Sequence, residues 1–182
     1  MKKGRIVIIT GAPGTGKTTT ASMTAKESSL EKSVHMHTDD FYHYLSKGAI
    51  PPHLPGSNGQ NVIVMEAFLE AAKHYVRGGY DVIVDGIIGP WFLEPWLKAV
   101  QDGYEVHYII LRANKEETMK RAVGRDKLDR ETNMELVEYL VDFRRNNLHK
   151  EIAVNIVFEY NDIIYVKNDL SLAEKEFLIM RW

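Results

Sequence analysis

Cysteine is absent from the 182-residue sequence, which excludes disulfide bonds, thiol catalysis and cysteine-based zinc sites. Neither sign of charge predominates, since the formal net charge is −2. Without an overall positive charge, nucleic acid is not expected as the main partner. No apolar run approaches the length of a membrane span, and the run after the N-terminal lysines is too short for a signal peptide. We therefore expect a cytoplasmic protein with no membrane partner, built as one domain over residues 1–182.

A phosphate-binding loop is predicted between a strand at residues 5–10 and a helix at residues 18–26. The segment GAPGTGKT matches the pattern G-x-x-x-x-G-K-S/T at every fixed position. Its glycines let backbone N–H groups converge on a phosphate, and the helix N-terminus adds partial positive charge there. Lys17 is then placed for the β- and γ-phosphates, and the Thr18 hydroxyl for Mg²⁺. The loop consists of Gly11, Ala12, Pro13, Gly14, Thr15, Gly16, Lys17 and Thr18.

Acidic residues follow two further predicted strands. The strand at residues 33–38 leads into Asp39 and Asp40, and the strand at residues 80–86 carries Asp85 near its end. Ligands of parallel α/β sheets bind beyond the carboxyl ends of the strands, so these acids are expected on the same edge as the phosphate-binding loop. Asp85 has the position of a Walker B acid, which organises the magnesium ion. Alternatively, Asp39 or Asp40 simply caps a helix at residues 41–45.

Three other segments are candidates for contacts with the substrate or the transferring phosphoryl group. Residues 47–60 are rich in proline and glycine and predict a loop that binds substrate or covers the site, or else a surface excursion. The cluster of aromatic residues within residues 87–96 either lines an acceptor pocket or packs in the core. The segment at residues 121–131 carries Arg121, Arg125 and Arg130, which suit a mobile lid that closes over a transferring phosphoryl group. A solvated charged helix face is the alternative.

These motifs resemble the P-loop small-molecule kinases, such as gluconate kinase, shikimate kinase and chloramphenicol phosphotransferase. The resemblance rests on residues 9–19, the Asp39-Asp40 pair, Asp85 and the arginine segment, and it adds Thr19 to the nucleotide contacts. It implies a three-layer α/β/α fold with a five-stranded parallel sheet in the order 2-3-1-4-5. The fourth strand is predicted at residues 104–111, the fifth at residues 163–166, and a closing helix at residues 172–180.

The segment Thr38-Asp39-Asp40-Phe41-Tyr42 is also similar to one in glycerate kinase, nicotinamide riboside kinase and phage polynucleotide kinase. In those enzymes the first aspartate accepts the proton of the attacking hydroxyl, which by position implies that role for Asp39. The basic residues that would bind a carboxylated sugar are lacking near the exit of the second strand, where His35, His37 and His43 occur instead. His35 and His37 share a strand face, but zinc is disfavoured because no third ligand is evident.

The sequence therefore predicts an ATP- and Mg²⁺-dependent kinase acting on a hydroxyl of a small molecule. The predicted catalytic residues are Lys17, Asp39, Arg125 and Arg130, and the predicted metal ligands are Thr18, Asp85 and, more weakly, Asp40. A nucleotide or polynucleotide 5′-kinase and a non-kinase ATP-binding switch remain as alternatives. The acceptor and the oligomeric state stay open.

Overall fold

The computed structural model describes residues 4–89, 92–111 and 118–121, residues 131, 134 and 137, and the backbone of residues 163–167 and 179–180. The strands are β1 (Arg5–Gly11), β2 (Ser33–His37), β3 (Asp81–Gly86), β4 (Val106–Leu111), β5 (Ile163–Lys167) and β6 (Ile179–Met180). The helices are α1 (Lys17–Lys26), α2 (Thr38–His43), α3 (Asn58–Arg77) and α4 (Glu94–Gln101), and residues 118–121 are also helical.

The strands form one sheet in the order β2-β3-β1-β4-β5-β6, which confirms the predicted order 2-3-1-4-5. The first four strands are parallel, with β1 between β3 and β4. Their buried β-branched residues are typical of strands covered on both faces. All four carboxyl ends therefore lie at one edge, which is where the phosphate-binding loop leaves β1.

The far edge of the sheet corrects the prediction of a wholly parallel sheet. Strand β5 runs antiparallel to β4, with Leu111 opposite Ile163, and β6 runs antiparallel to β5. The predicted closing helix is thus wrong at Ile179 and Met180, which are strand residues. An apolar run reveals that a strand forms but not its direction, and antiparallel edge strands on parallel sheets are common.

Helices cover both faces of the sheet and give the expected three layers. Helix α1 packs Ala21 and Ala25 on one face, against residues such as Ile9. On the other face, α3 and α4 bury Phe68 and Trp96 together. Trp96 is 2% exposed, so this member of the aromatic segment belongs to the core rather than to a pocket wall. Phe92 is partly buried, and Trp91 lies outside the described residues.

Several helix boundaries differ from the predicted ones. Helix α3 begins at Asn58, so the first turn of the helix occupies the end of the predicted loop at 47–60. Thr38 starts α2 instead of ending β2, and neither Asp39 nor Asp40 is its N-cap. Helix α4 was not predicted because its segment holds Pro95; in the first turn a proline loses no helical hydrogen bond. Across the described residues, no helix has the length and apolar character needed to cross a membrane.

At the opposite end of β3 from Asp85, a buried ion pair fastens β1 to its neighbour. Arg5 donates from Nε and Nη2 to the two carboxylate oxygens of Asp81, each at 2.9 Å. Asp81 is 1% exposed and also accepts from the Ser28 hydroxyl. Because the pair lies at the amino ends of the strands, we assign it to stability and not to the site.

We expect Arg5→Met to lower the free energy of unfolding by about 1–3 kcal/mol, because a buried carboxylate loses its charged partner while Arg5 itself is partly exposed. Urea unfolding measures this change, and Lys98→Met, at an exposed lysine of α4, serves as the control. ATP affinity should remain at the wild-type value. Equal unfolding midpoints for the two variants would contradict the assignment.

Candidate active site

The phosphate-binding loop is closed by hydrogen bonds to one of its own carbonyl groups. The Ala12 oxygen accepts from the Thr15 hydroxyl at 2.8 Å and from Lys17 Nζ at 3.0 Å. Gly14 and Gly16 have φ values of 85° and 88°, in the left-handed region where a side chain would be strained. Helix α1 starts directly after Gly16, so its first N–H groups face the loop. The arrangement fits a bound phosphate chain.

Asp85 is surrounded by three donors at the carboxyl end of β3. Thr18 Oγ1 donates to its Oδ2 at 2.8 Å, and His35 Nε2 contacts its Oδ1 at 2.5 Å. His37 Nδ1 lies 3.0 Å from Oδ2. Burial by itself raises the pKa of Asp85, but contacts with His37, Thr18 and His35 outweigh it and lower the pKa to about 2. The carboxylate is therefore ionised at neutral pH.

His37 bridges the acids of two different elements. Its Nδ1 lies 3.0 Å from Asp85 Oδ2, and its Nε2 lies 3.1 Å from Asp39 Oδ2. Neither N–H points squarely at its carboxylate, so the contacts are ionic rather than well-aligned hydrogen bonds. The contact with Asp39, followed by that with Asp85, raises the pKa of His37 to about 10 against the opposing effect of burial. The imidazole is thus a cation between two carboxylates.

Asp39 differs from Asp85 in its access to solvent. Its side chain is 50% exposed, whereas that of Asp85 is fully buried. Burial, together with the charge of Asp39, raises the pKa of the nearby Tyr42 to about 12, so its hydroxyl stays protonated. Because its side chain is half-exposed, Asp39 can meet a ligand that arrives from solution.

Helix α2, which carries Asp39, is fixed to the core at two points. Phe41 packs edge-on against Phe68 with ring centroids 4.9 Å apart. Thr38 lies so close to Gly86 that a Cβ at that glycine would stand 1.9 Å from the threonine hydroxyl. The position of the Asp39 backbone is therefore determined by the packing of α2 against α3 and β3.

The structure brings together some of the predicted site residues. Lys17, Thr18, Asp39 and Asp85 meet at one edge of the sheet. Asp40 is exposed on α2, and no described contact joins it to Thr18 or Asp85. The predicted metal role of Asp40 stays a prediction.

The structure leaves the roles of the other predicted residues untested. Thr19 is exposed on α1, and Arg121 is exposed at the end of the helical residues 118–121. Arg125 and Arg130 lie outside the described residues, as does most of the predicted lid. The roles of these residues are predictions still.

The sequence analysis missed the contacts of His35 and His37 with Asp85, since it considered these histidines as zinc ligands and as the residues found where a carboxylated sugar would need basic ones. Their alternation along β2, next to β3, was the available signal, because parallel register pairs His37 with Asp85. The described residues contain no group of three His, Cys, Asp or Glu side chains suited to a metal ion. The hard oxygens of Thr18 and Asp85 do suit Mg²⁺, which takes few protein ligands and completes its shell with phosphates and water.

A family model described as AAA domain matches residues 7–163, and the chain belongs to this family. No curated protein matches the sequence. The fold is similar to a chain of the Pnkp1/Rnl/Hen1 RNA repair complex, with TM-score 0.54 and 18% identity, over 79% of this chain and 47% of that chain. The chain thus spans about half the length of that protein.

Two smaller kinases share the fold. The APS kinase CysC of Mycobacterium tuberculosis, solved with AMPPNP and APS, matches with TM-score 0.53 and 19% identity, over 68% of this chain and 71% of that one. A sugar kinase from Janibacter sp. HTCC2649 matches with TM-score 0.52 and 18% identity, over 76% of this chain and 95% of that chain. The predicted resemblance to P-loop small-molecule kinases is confirmed in the fold.

We expect Gly86→Ala to destabilise the protein by about 1–3 kcal/mol, because the added methyl group would overlap Thr38 at the start of α2. Gly59→Ala is the matched control, since a Cβ there meets no atom within 4 Å. Urea unfolding of both variants measures the difference. If Gly86→Ala had the unfolding midpoint of the wild-type protein, the close packing of α2 on β3 would be wrong.

The raised pKa of His37 predicts a loss of stability at alkaline pH. A histidine whose pKa is higher in the folded state binds its proton more tightly there, so its contribution is complete below about pH 6.5 and disappears as the pH rises through about 10. The Tm of the wild-type protein should therefore fall between pH 7 and pH 10 more steeply than that of His37→Gln. Parallel Tm curves for the two proteins would contradict the assigned pKa.

Proposed function

We propose that this chain is an ATP- and Mg²⁺-dependent kinase that transfers the γ-phosphate to a hydroxyl group of a small molecule. The observation that carries the proposal is the half-exposed carboxylate of Asp39, held beside a phosphate-binding loop and a buried acid. A loop with a buried acid is enough for nucleotide binding. An accessible carboxylate on the same edge adds a group that can act on an acceptor.

The residues divide the work of phosphoryl transfer between them. The loop from Gly11 to Thr18 binds the phosphates, and Lys17 offers a cation to the β- and γ-phosphates. Thr18 and Asp85 would hold Mg²⁺, which would neutralise charge on the phosphate oxygens. Asp39 accepts the proton of the acceptor hydroxyl while the new oxygen–phosphorus bond forms, the bond between the β- and γ-phosphates breaks and ADP leaves.

Asp39 is a better base than Asp85 for two physical reasons. Asp85 is buried, and its three donors hold its pKa at about 2, so neither an acceptor nor a proton reaches it readily. Asp39 is half-exposed, so the hydroxyl group of an acceptor can reach it from solution. We accordingly assign metal binding to Asp85 and proton transfer to Asp39.

Further parts of the site follow from the resemblance to P-loop kinases. We propose that residues 47–60 contribute to the acceptor site and that residues 121–131 form a lid. Arg125 and Arg130 then stabilise the transferring phosphoryl group, as guanidinium groups do in related reactions. The named activities of the APS kinase and the sugar kinase support small-molecule acceptors.

A polynucleotide 5′-kinase is a second candidate. It is favoured by the similarity to a chain of an RNA repair complex and by the Asp39-Asp40-Phe41-Tyr42 segment. The net charge of −2 weighs against it, because binding to a nucleic acid backbone depends on positive charge.

The test is transfer from ATP across a panel of acceptors: gluconate, shikimate, glycerate, aminoglycosides, chloramphenicol, nucleosides and 5′-hydroxyl oligonucleotides. We expect phosphorylation of a small molecule, reduced roughly 10²- to 10⁴-fold in Asp39→Asn because a general base is lost. Asp40→Asn should retain most of the activity. Lys17→Ala should lose transfer altogether, because the cation at the β- and γ-phosphates is removed.

Other outcomes would point elsewhere. Transfer to the oligonucleotides alone would replace the small-molecule proposal with the 5′-kinase. Loss of activity in Asp40→Asn but not in Asp39→Asn would move the base to Asp40. ATP hydrolysis that no acceptor stimulates, at the same rate in wild type and Asp39→Asn, would favour an ATP-binding switch.

A further inference from the structure

The histidine between the two acids of the site has no assigned role in the proposed reaction. His37 is the last residue of β2, and its side chain is 18% exposed. The register of the sheet places it opposite Asp85, so the two side chains project from the same face. It is also two residues before Asp39, at the point where strand β2 turns into helix α2. Backbone geometry alone therefore places this ring between the two carboxylates.

Each ring nitrogen of His37 is used by a different acid. Nδ1 lies 3.0 Å from Asp85, and Nε2 lies 3.1 Å from Asp39. His35, two residues earlier on the same strand face, contacts the other oxygen of Asp85, Oδ1. Both histidines thus contact Asp85, and His37 also contacts the half-exposed Asp39.

We propose that His37 is a positioning residue that ties the carboxylate of Asp39 to that of Asp85. The inference rests on the proposed function, in which Asp39 is the base and Asp85 holds the metal. Asp85 is fixed by β3 and Thr18, whereas Asp39 stands half-exposed on a short helix. An imidazole ring is rigid, so contact through both nitrogens sets the distance between the two acids. His37 thereby fixes the base relative to the metal and the phosphate chain.

A buried counter-ion for Asp85 is the simpler explanation, but it does not account for the second contact. His35 and Thr18 already contact Asp85, and the ring of His37 reaches beyond it to Asp39. Misplacement of a reacting group by about 1 Å costs on the order of 10²-fold in rate, so control of the Asp39 carboxylate has a measurable effect.

Two amide variants separate the two contacts of His37. In His37→Asn the amide nitrogen takes the place of Nδ1, which keeps a donor toward Asp85 and removes the one toward Asp39. In His37→Gln the amide nitrogen takes the place of Nε2 and reaches Asp39. We expect the kcat for transfer to fall roughly 10- to 100-fold in His37→Asn and less in His37→Gln, with the KM for ATP within about threefold of wild type. If none of the acceptors tested above is phosphorylated, the kcat of Mg²⁺-dependent ATP hydrolysis is measured for the same variants instead.

The decisive comparison places these changes in an Asp39→Asn background. If His37 acts through Asp39, His37→Asn causes no further loss of kcat once Asp39→Asn is present. A purely structural role predicts that the two losses multiply. His35→Asn is the matched control: it removes a contact with Asp85 from the same strand face, and its effect should multiply with that of Asp39→Asn.

A readout without nucleotide tests the contact itself. A double-mutant cycle on the Tm should show coupling between His37 and Asp39 and none between His35 and Asp39. If His37→Asn does not fold, His37→Ala with Asp39→Asn carries the same cycle.

The outcomes separate this inference from the proposed function. If Asp39→Asn leaves both transfer and hydrolysis unchanged, Asp39 is not the base, and both proposals fail. If Asp39→Asn abolishes transfer while the losses of His37→Asn and Asp39→Asn multiply, the kinase remains and only the role of His37 is overturned. A Tm cycle without His37–Asp39 coupling would likewise overturn the inference alone.

Discussion

The buried carboxylate of Asp85 is the constraint on which the site depends. An ionised carboxylate removed from water is stable only when polar or charged partners surround it, and here they come from two segments: Thr18 on α1, and His35 and His37 on β2. Satisfying this one charge therefore brings the end of β2, the end of β3 and the start of α1 into a fixed arrangement. The phosphate-binding loop is held at its far end by the same contacts.

The parallel sheet makes this arrangement possible. Strands β1, β2 and β3 run in the same direction, so the phosphate-binding loop, helix α2 with Asp39, and the buried Asp85 lie side by side at their carboxyl ends. The packing is tight enough that Gly86 leaves no room for a methyl group beside Thr38. The half-exposed Asp39 is consequently presented by a helix whose position the core determines.

Sequence reasoning recovered the parts of the site that have local signatures. The loop from Gly11 to Thr18 is defined by spacing, and Asp39 and Asp85 are marked by their places after apolar runs. Because the strands before Thr18 and Asp85 are parallel neighbours, their carboxyl ends lie at the same edge of the sheet, and the hydrogen bond between these two residues is consistent with that placement. The bridge made by His37 was missed, because the alternation of His35 and His37 indicates only that they share a strand face, whereas the bridge depends on the register between β2 and β3.

The same limit explains the errors in the fold. Strand β5 was recognised by its composition, but its direction depends on the path of the chain that precedes it. Helix α4 was not predicted. Its Pro95 would interrupt a helix interior but is tolerated here because it lies in the first turn. Local patterns predict elements, whereas direction, register and side-chain bridges depend on tertiary packing.

The most direct test of the account is the fate of a radiolabelled γ-phosphate. ATP carrying the label is incubated with a metabolite extract and either the wild-type protein or Asp39→Asn, and the labelled products are separated and identified by mass spectrometry. We predict that the wild-type protein places the label on an organic phosphate ester and that this product is lost in the variant. Label recovered only as inorganic phosphate, in equal amounts from both proteins, would contradict the account.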